Sequence, residues 1–133
     1  MSAEITYSNT DLDLVASFDL APLSSALESR GVDSLGIFQH VEGTWVSSFE
    51  TGLFDQPEDH IAALLDAIES LDSESRRLWD ACSSREFNIG YECGTEPWAF
   101  NQGVSVSSLQ RMTVLGISLR ITLYPPGKCS GAC

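Results

Sequence analysis

Hydrophobic and polar residues alternate along this chain with two different periods, which predicts a mixture of strands and helices. Alternation with a period of two is typical of a strand with one buried face. It occurs at residues 5 to 7 and 11 to 14, as one long bent strand or two, and at 87 to 91 and 119 to 124. Two β-rich runs, 35 to 40 and 45 to 51, predict an antiparallel hairpin whose turn contains Gly43.

Apolar residues spaced three and four apart predict helices between these strands. The first helix is predicted to begin at Asp19 and to end near Gly31. The second has a capped start at Asp55 to Glu58, and its apolar stripe is formed by Ile61, Leu64, Ile68 and Leu71. Residues 72 to 75 interrupt it, so a continuation or a separate helix follows, ending near residue 84. The last helix begins at Ser105 or Ser107 and ends at Gly116.

The order of these elements predicts an α+β fold. Strand, helix and strand on either side of a hairpin are typical of a split βαβ, ferredoxin-like sandwich with a single sheet. An additional helix and strand follow at the C-terminal end. Residues 1–125 are predicted to form this single domain, and residues 126–133, with Cys129 and Cys133, a flexible tail.

Charge is distributed unevenly along the sequence. Residues 1–75 contain fifteen acidic residues and one basic residue, a balance of −14, whereas residues 76–133 contain four acidic and six basic residues, a balance of +2. Folding does not require such an imbalance, because like charges repel on a compact surface. The acidic balance argues against binding to nucleic acid or an anionic membrane, and it leaves basic proteins and metal cations as candidate partners.

The outer face of the second helix is the first candidate binding surface. At 100° per residue, its acidic side chains gather opposite the apolar stripe, without a lysine among them. They are Glu58, Asp59, Asp66 and Glu69. This face is either an ordinary solvated surface or a docking surface for a basic protein.

The segment from Gly94 to Gly103 is the second candidate, because it places two aromatic residues in an irregular loop. Trp98 and Phe100 suit either a contact with a partner or a cover over a ligand pocket. The alternative interpretation is that they fold back onto the core.

The sequence contains no recognisable catalytic motif, and we expect no enzyme, no metal and no cofactor. It lacks a nucleophile elbow, a phosphate-binding glycine-rich loop and a metal-binding helix motif. His40 and His60 and the cysteines have no zinc-site spacing, and Cys82 and Cys93 are expected to be small hydrophobic residues. Asp11 and Asp13 lie on the same side of a strand, where they can bind a cation, perturb each other's pKa or simply remain surface carboxylates.

The N-terminal residues lack the features of a signal peptide, and no apolar run is long enough to span a membrane. We therefore expect a cytoplasmic protein. Its cysteines are expected to be reduced thiols.

Three segments resemble small uncharacterised bacterial proteins of a domain-of-unknown-function type. They are the run from Arg85 to Tyr91, the loop from Glu96 to Phe100 and the ending from Leu115 to Pro125. The resemblance covers most of the chain, except for the tail, and implies a bacterial source. The segments are similar to structural signatures, so the resemblance implies no catalytic residue.

These observations lead to three functional hypotheses. The first is a non-catalytic acidic protein-binding domain, such as an immunity or antitoxin-like inhibitor of a basic toxin or nuclease. The second is a ligand-binding or enzymatic domain with the Trp98 and Phe100 loop over a pocket. The third is a structural or self-associating module, since sheet edges and exposed aromatic residues can mediate dimers.

Overall fold

A computed structural model describes residues 4–40 and 43–126. Nine elements follow one another along this part of the chain: β1 (Thr6–Ala16), α1 (Ala21–Glu28), β2 (Asp33–Gln39), β3 (Trp45–Glu50), α2 (Pro57–Glu69), α3 (Ser73–Ala81), β4 (Ser84–Glu92), α4 (Val106–Leu115) and β5 (Ser118–Tyr124). The predicted α+β class is confirmed, and the helix and strand predicted after β4 are α4 and β5.

All five strands form one mixed sheet in the order β2-β3-β1-β4-β5. The central strand β1 is antiparallel to both β3 and β4, and β2 is antiparallel to β3. The edge strand β5 is parallel to β4, which α4 makes possible by returning the chain to the other end of the sheet. The predicted hairpin of β2 and β3 is therefore confirmed, although its turn includes residues 41 and 42, which lie outside the described residues.

The helices cover one face of this sheet, where the hydrophobic core lies. Strand β1 shows the reason, since Leu12, Leu14 and Ala16 are buried while the residues between them are half-buried on the opposite face. Helix α2 packs Ile61, Leu64 and Ile68 into the same core. Among the other large, fully buried side chains are Phe49, Phe87 and Trp79. We call the uncovered side of the sheet the open face.

The element ends differ in part from the predictions. The N-terminal strand is a single strand with a register shift between Tyr7 and Asn9. The predicted cap at Asp55 is wrong, because the N-cap of α2 is Gln56, which forms no side-chain capping bond. A separate helix, α3, follows α2, and its N-cap Asp72 accepts a hydrogen bond from the backbone N–H of Ser75 at 2.7 Å.

Helix α4 is fixed at both ends. At its start, Ser105 accepts a hydrogen bond from the backbone N–H of Ser108, as the sequence predicts. At its end, Gly116 has a φ of +70°, and a Cβ there would lie 2.6 Å from Nη2 of Arg85. Only glycine fits this left-handed position without moving Arg85. The predicted tail, with Cys129 and Cys133, lies outside the described residues from position 127 onward.

Within the described residues, no helix has the length and apolar character needed to cross a membrane.

Candidate partner-binding surface

The acidic face of α2 packs against α4 and contacts its arginine. Arg111 donates one hydrogen bond to Asp66 at 2.6 Å and two to Glu69, each at 2.8 Å. The hydrogen bonds from Arg111 lower the pKa of Glu69. Two of the four candidate acids therefore share one intramolecular cation, Arg111, which offsets one of their two negative charges.

A third candidate acid, Glu58, supports the N-terminus of α4. Its carboxylate accepts hydrogen bonds from the backbone N–H of Ser105 at 3.0 Å, from the Ser105 hydroxyl at 2.7 Å and from the Ser108 hydroxyl. The hydrogen bonds from Ser108 and Ser105 lower the pKa of Glu58. A negative charge is favourable at a helix N-terminus. Asp59, the fourth acid, is exposed, and no described residue forms a hydrogen bond or ion pair with it.

The absence of lysine on α2 thus has a structural explanation that the helix taken alone does not provide. Its acids are complemented by α4, which lies more than forty residues later in the sequence. The sequence contained one signal of this contact, because α4 has a single basic residue, Arg111, and begins after a serine cap. The pattern within one helix does not indicate which other helix lies beside it.

The two aromatic residues of the loop between β4 and α4 lie in different environments. Trp98 is 98% exposed, whereas Phe100 packs edge-on against the ring of Tyr91, with ring centroids 5.3 Å apart. The structure therefore does not bring Trp98 and Phe100 together into one aromatic surface. Trp98 is available for contact with another molecule, and Phe100 covers part of the core.

A second group of acids lies on the open face of the sheet. Asp33 of β2 is directly opposite Glu50 of β3 in the antiparallel register. On β1 and β3, Leu12 is paired with Phe49, and the adjacent residues Asp11 and Glu50 are close enough for the charge of Glu50 to raise the pKa of Asp11. We call Asp33, Glu50 and Asp11 the acidic row, which crosses three adjacent strands. The described residues include no basic side chain in an ion pair with any of the three.

The acidic row has an electrostatic cost that is visible at Asp11. Partial burial, followed by the charges of Asp13 and Glu50, raises the pKa of Asp11 to about 6, although Asn9 donates a hydrogen bond to it at 2.6 Å. Like charges directly opposite each other on neighbouring strands destabilise a sheet. The ionised form of Asp11 is therefore unfavourable in the folded protein. Asp11 was identified from sequence, whereas Asp33 and Glu50 were missed because only the strand register places them beside it.

An apolar depression of about 430 Å³ lies beside the acidic row on the sheet. Its lining includes Val15, Phe38 and Val46, and Phe38 is 64% exposed. The register pairs Phe38 with Val46 on the open face. The ring of Phe38 lies against Gly36, where a Cβ would be 3.1 Å from it. The open face thus combines carboxylates with an exposed aromatic side chain, as protein-binding surfaces commonly do.

A polar cluster is enclosed in the core. The hydroxyl of Tyr7 lies 2.7 Å from Nδ1 of His60 and within hydrogen-bond distance of the Thr10 hydroxyl. His60 is 1% exposed, and burial lowers its pKa, so the ring is neutral at pH 7. Its Nε2 and the hydroxyl of Tyr91 are buried without a hydrogen-bond partner among the described residues. The cluster contains an acid–base pair in which His60 is buried and Tyr7 is half-buried.

The remaining candidate side chains do not form a reactive centre. Burial raises the pKa of the Cys82 thiol to about 11, so it is protonated at neutral pH and is a poor nucleophile. Between residues 4 and 126, with the exception of 41 and 42, no group of three or more His, Cys, Asp or Glu side chains is arranged to hold a metal ion.

Comparison with known proteins found no matching family model, no similar curated protein and no similar solved structure. The resemblance to uncharacterised bacterial proteins therefore stays a prediction.

Proposed function

We propose that this protein is a non-catalytic acidic binding domain that captures a basic protein through the open face of its sheet. The observation that carries this proposal is the acidic row, in which Asp33, Glu50 and Asp11 lie side by side without a described cationic partner. This arrangement costs stability in the isolated molecule. A bound lysine or arginine would remove that cost.

The chemistry of the open face favours a protein over a small cation. The three carboxylates are spread across three strands, so they match a surface with several spaced positive charges. The neighbouring depression at Phe38 offers a position for an apolar side chain. Toxins that act on nucleic acid carry basic surfaces, because they must contact phosphates. An immunity or antitoxin-like inhibitor of such a toxin is the specific form of this proposal.

The residues first identified on α2 and in the loop have supporting roles in this proposal. Trp98, which is 98% exposed, is a further residue available to contact the partner. Glu58, Asp66 and Glu69 form hydrogen bonds to α4, so they contribute mainly to the general negative field. That field accelerates the association with a basic partner.

We also propose that the fold is a ferredoxin-like split βαβ unit extended by α4 and β5. The strand order β2-β3-β1-β4, with antiparallel neighbours throughout, supports this assignment. Helices α1 and α2 occupy the two crossover positions in the chain order. In this arrangement one sheet face remains without helices, which is the face proposed to bind the partner.

A second candidate function is supported by the enclosed polar cluster. Phe100 covers Tyr91, whose hydroxyl has no described partner, and Tyr91 packs against Tyr7. A small ligand that entered beneath this loop would meet the Tyr91 hydroxyl, which has no hydrogen-bond partner among the described residues. This candidate requires the loop to open, whereas the open face is already accessible.

The test compares two variants that remove the same number of charges. Asp33→Asn/Glu50→Gln changes the acidic row, and Asp66→Asn/Glu69→Gln changes the face of α2. Tagged wild-type protein is used to capture partners from a lysate of the source organism at low salt, and the basic protein recovered is purified. Calorimetric titration then measures its affinity for each variant. We expect the row variant to weaken binding at least about tenfold, and more than the α2 variant.

Equal affinity of the wild type and the row variant would show that the open face is not the binding surface. A larger loss of affinity in the α2 variant would show that the partner binds at Asp66 and Glu69 instead. If no basic protein is captured, screening of small molecules by thermal shift tests the second candidate. A ligand-induced rise in Tm that is lost in Phe100→Ala would support that candidate instead.

A further inference from the structure

The edge strand β5 presents apolar side chains that no described element covers. Leu119, Ile121 and Leu123 alternate on the same side of the sheet as the core, and they are 39%, 58% and 61% exposed. Their register partners on β4, which are Phe87, Ile89 and Tyr91, are at most 3% exposed. The apolar layer of the core therefore continues beyond the part that the helices cover.

One flank of α4 extends this apolar surface. On a helix of 3.6 residues per turn, Leu109 lies about 160° around the axis from Arg111, which contacts α2. Leu109 and Val106 therefore lie on the flank that faces away from α2. They are 41% and 69% exposed. We call Val106, Leu109, Leu119, Ile121 and Leu123 the edge patch.

We propose that a second copy of this chain covers the edge patch, with β5 of each copy paired antiparallel about a twofold axis at Ile121. The pattern of β5 is self-complementary in this register. Leu119 is opposite Leu123 of the other copy on the core side, and Arg120 is opposite Thr122 on the open side. The two central Ile121 side chains meet each other. The sheets of the two copies then join into one continuous sheet.

The distribution of charge favours a second copy over the basic partner at this position. The edge patch contains no carboxylate, although the whole chain has a formal charge of −12. The charged side chain within β5 is Arg120, and its Nε donates to Glu86 at 2.8 Å. A basic partner that binds through acidic side chains has little to contact at the edge patch. The same apolar surface on a second copy of the chain is complementary to it. An isologous contact of this kind is the commonest route to a dimer.

Pairing between two β5 strands would also satisfy the backbone hydrogen-bonding groups at this edge of the sheet. An exposed edge strand offers unpaired backbone N–H and C=O groups, and natural proteins usually protect such an edge with charge, proline or a covering element. Strand β5 contains one charged residue and no proline between Ser118 and Tyr124. The acidic row is on β1, β2 and β3, on the far side of the sheet order from β5. The dimer therefore leaves the proposed partner surface free, and it does not depend on the proposed function.

Sedimentation equilibrium over a range of protein concentrations tests this inference directly. The wild type is expected to dimerise, and Ile121→Asp is expected to weaken the dimer at least about a hundredfold, because two carboxylates would meet at the axis. Leu53→Asp is the matched control, since Leu53 is 96% exposed in the segment between β3 and α2. It introduces the same group elsewhere and should leave dimerisation unchanged. Leu123→Lys provides a second disruptive variant in case Ile121→Asp does not fold, as judged by circular dichroism.

Cross-linking tests the register. Opposed residues in an antiparallel pair have Cα atoms about 4.5 to 5.5 Å apart, within the range that a disulfide spans. Under mild oxidation, Ile121→Cys should form a peptide linked from position 121 to position 121, identified by mass spectrometry, whereas Leu53→Cys should not link to itself. A monomer at all concentrations would overturn the proposal. So would a dimer that Ile121→Asp and Leu123→Lys leave unchanged, including one formed through another surface.

Discussion

At the residue scale, the same kind of side chain has opposite consequences at different positions. Glu69 has a lowered pKa because Arg111 donates hydrogen bonds to it. Asp11 has a pKa raised to about 6 because it is partly buried beside Asp13 and Glu50. The first carboxylate stabilises the fold when ionised, and the second destabilises it. A count of acidic residues therefore does not show which of them are available to a partner.

The raised pKa of Asp11 predicts a particular pH dependence of stability. The folded state binds this proton more tightly than the unfolded state, in which the pKa is near 3.8. The contribution of Asp11 is therefore fully present below about pH 4 and is lost as the pH rises through about 6. The free energy of unfolding of the wild type, minus that of Asp11→Asn, should fall across this window. Urea titrations at a series of pH values measure the difference.

Asp59→Asn serves as the control for this pH series, because Asp59 is an exposed carboxylate with no described partner. This variant gives the effect of removing one exposed carboxylate at each pH, against which the Asp11→Asn series is compared. A flat difference for Asp11→Asn across the window would mean that the pKa of Asp11 is not raised in the folded protein. Nuclear magnetic resonance of the Asp11 carboxyl carbon would then show an ordinary midpoint instead of one near pH 6.

At the scale of elements, α4 connects the acidic half of the sequence to the basic half. It receives Glu58 at its N-terminus, and its Arg111 contacts Asp66 and Glu69. Its C-terminal Leu115 accepts a hydrogen bond from Nε1 of Trp79 in α3 at 3.0 Å. Helix α4 is therefore held by polar contacts along its length, which leaves its apolar flank at Val106 and Leu109 free.

Loss of the Glu58 carboxylate should weaken this arrangement. Glu58→Ala removes the acceptor of three hydrogen bonds at the start of α4 and should lower the free energy of unfolding by about 1 to 2 kcal/mol. Asp59→Ala removes the neighbouring exposed carboxylate and should change it by less than about 0.5 kcal/mol. Equal effects of the two substitutions in urea unfolding would show that the charge of the first turn matters and the contacts of Glu58 do not.

The elements themselves were largely predictable from sequence, because their signals are local. The period-two pattern of β1 and β4, the apolar stripe of α2 and the caps at Ser105 and Gly116 each lie within one segment. The false cap at Asp55 arose from an equally local signal, which the first turn of α2 did not use. The pairing of α2 with α4 required knowledge of which helices are neighbours. No periodicity within a segment contains that information.

The candidate site was less predictable than the fold for the same reason. Asp33, Glu50 and Asp11 belong to three strands, and only the strand order and register align them. The sequence indicated the charge of this half of the molecule but assigned it to the helix face, where Arg111 and the start of α4 already contact three of the four acids. The exposed apolar residues of β5 were read correctly as one face of a strand. That this strand lies at the sheet edge depends on topology.

At the scale of the whole molecule, net charge and charge placement lead to different expectations for stability. The chain has a formal charge of −12, so removal of any two carboxylates reduces the overall repulsion equally. The two double variants differ in the surroundings of the carboxylates that they remove. Asp33→Asn/Glu50→Gln removes charges that face like charges, whereas Asp66→Asn/Glu69→Gln removes the acceptors of Arg111.

We therefore expect the two double variants to shift Tm in opposite directions at low ionic strength. The row variant should raise Tm by about 2 to 4 °C, because a cross-strand contact of like charges costs up to about 1 kcal/mol. The α2 variant should lower Tm, because the guanidinium of Arg111 loses its ion pairs. Added salt should reduce the gain of the row variant, since screening already relieves the repulsion in the wild type. Calorimetry at low and high salt measures both effects.

If both variants raised Tm by the same amount, net charge alone would control stability. The acidic row would then carry no local electrostatic cost, and the proposal that it binds a partner would lose its support. Opposite shifts would mean that the molecule retains an avoidable electrostatic cost on its open face, the position where a basic partner would offset it. The row variant would then be more stable than the wild type and would bind less well. That combination is the expected mark of a surface maintained for binding instead of for folding.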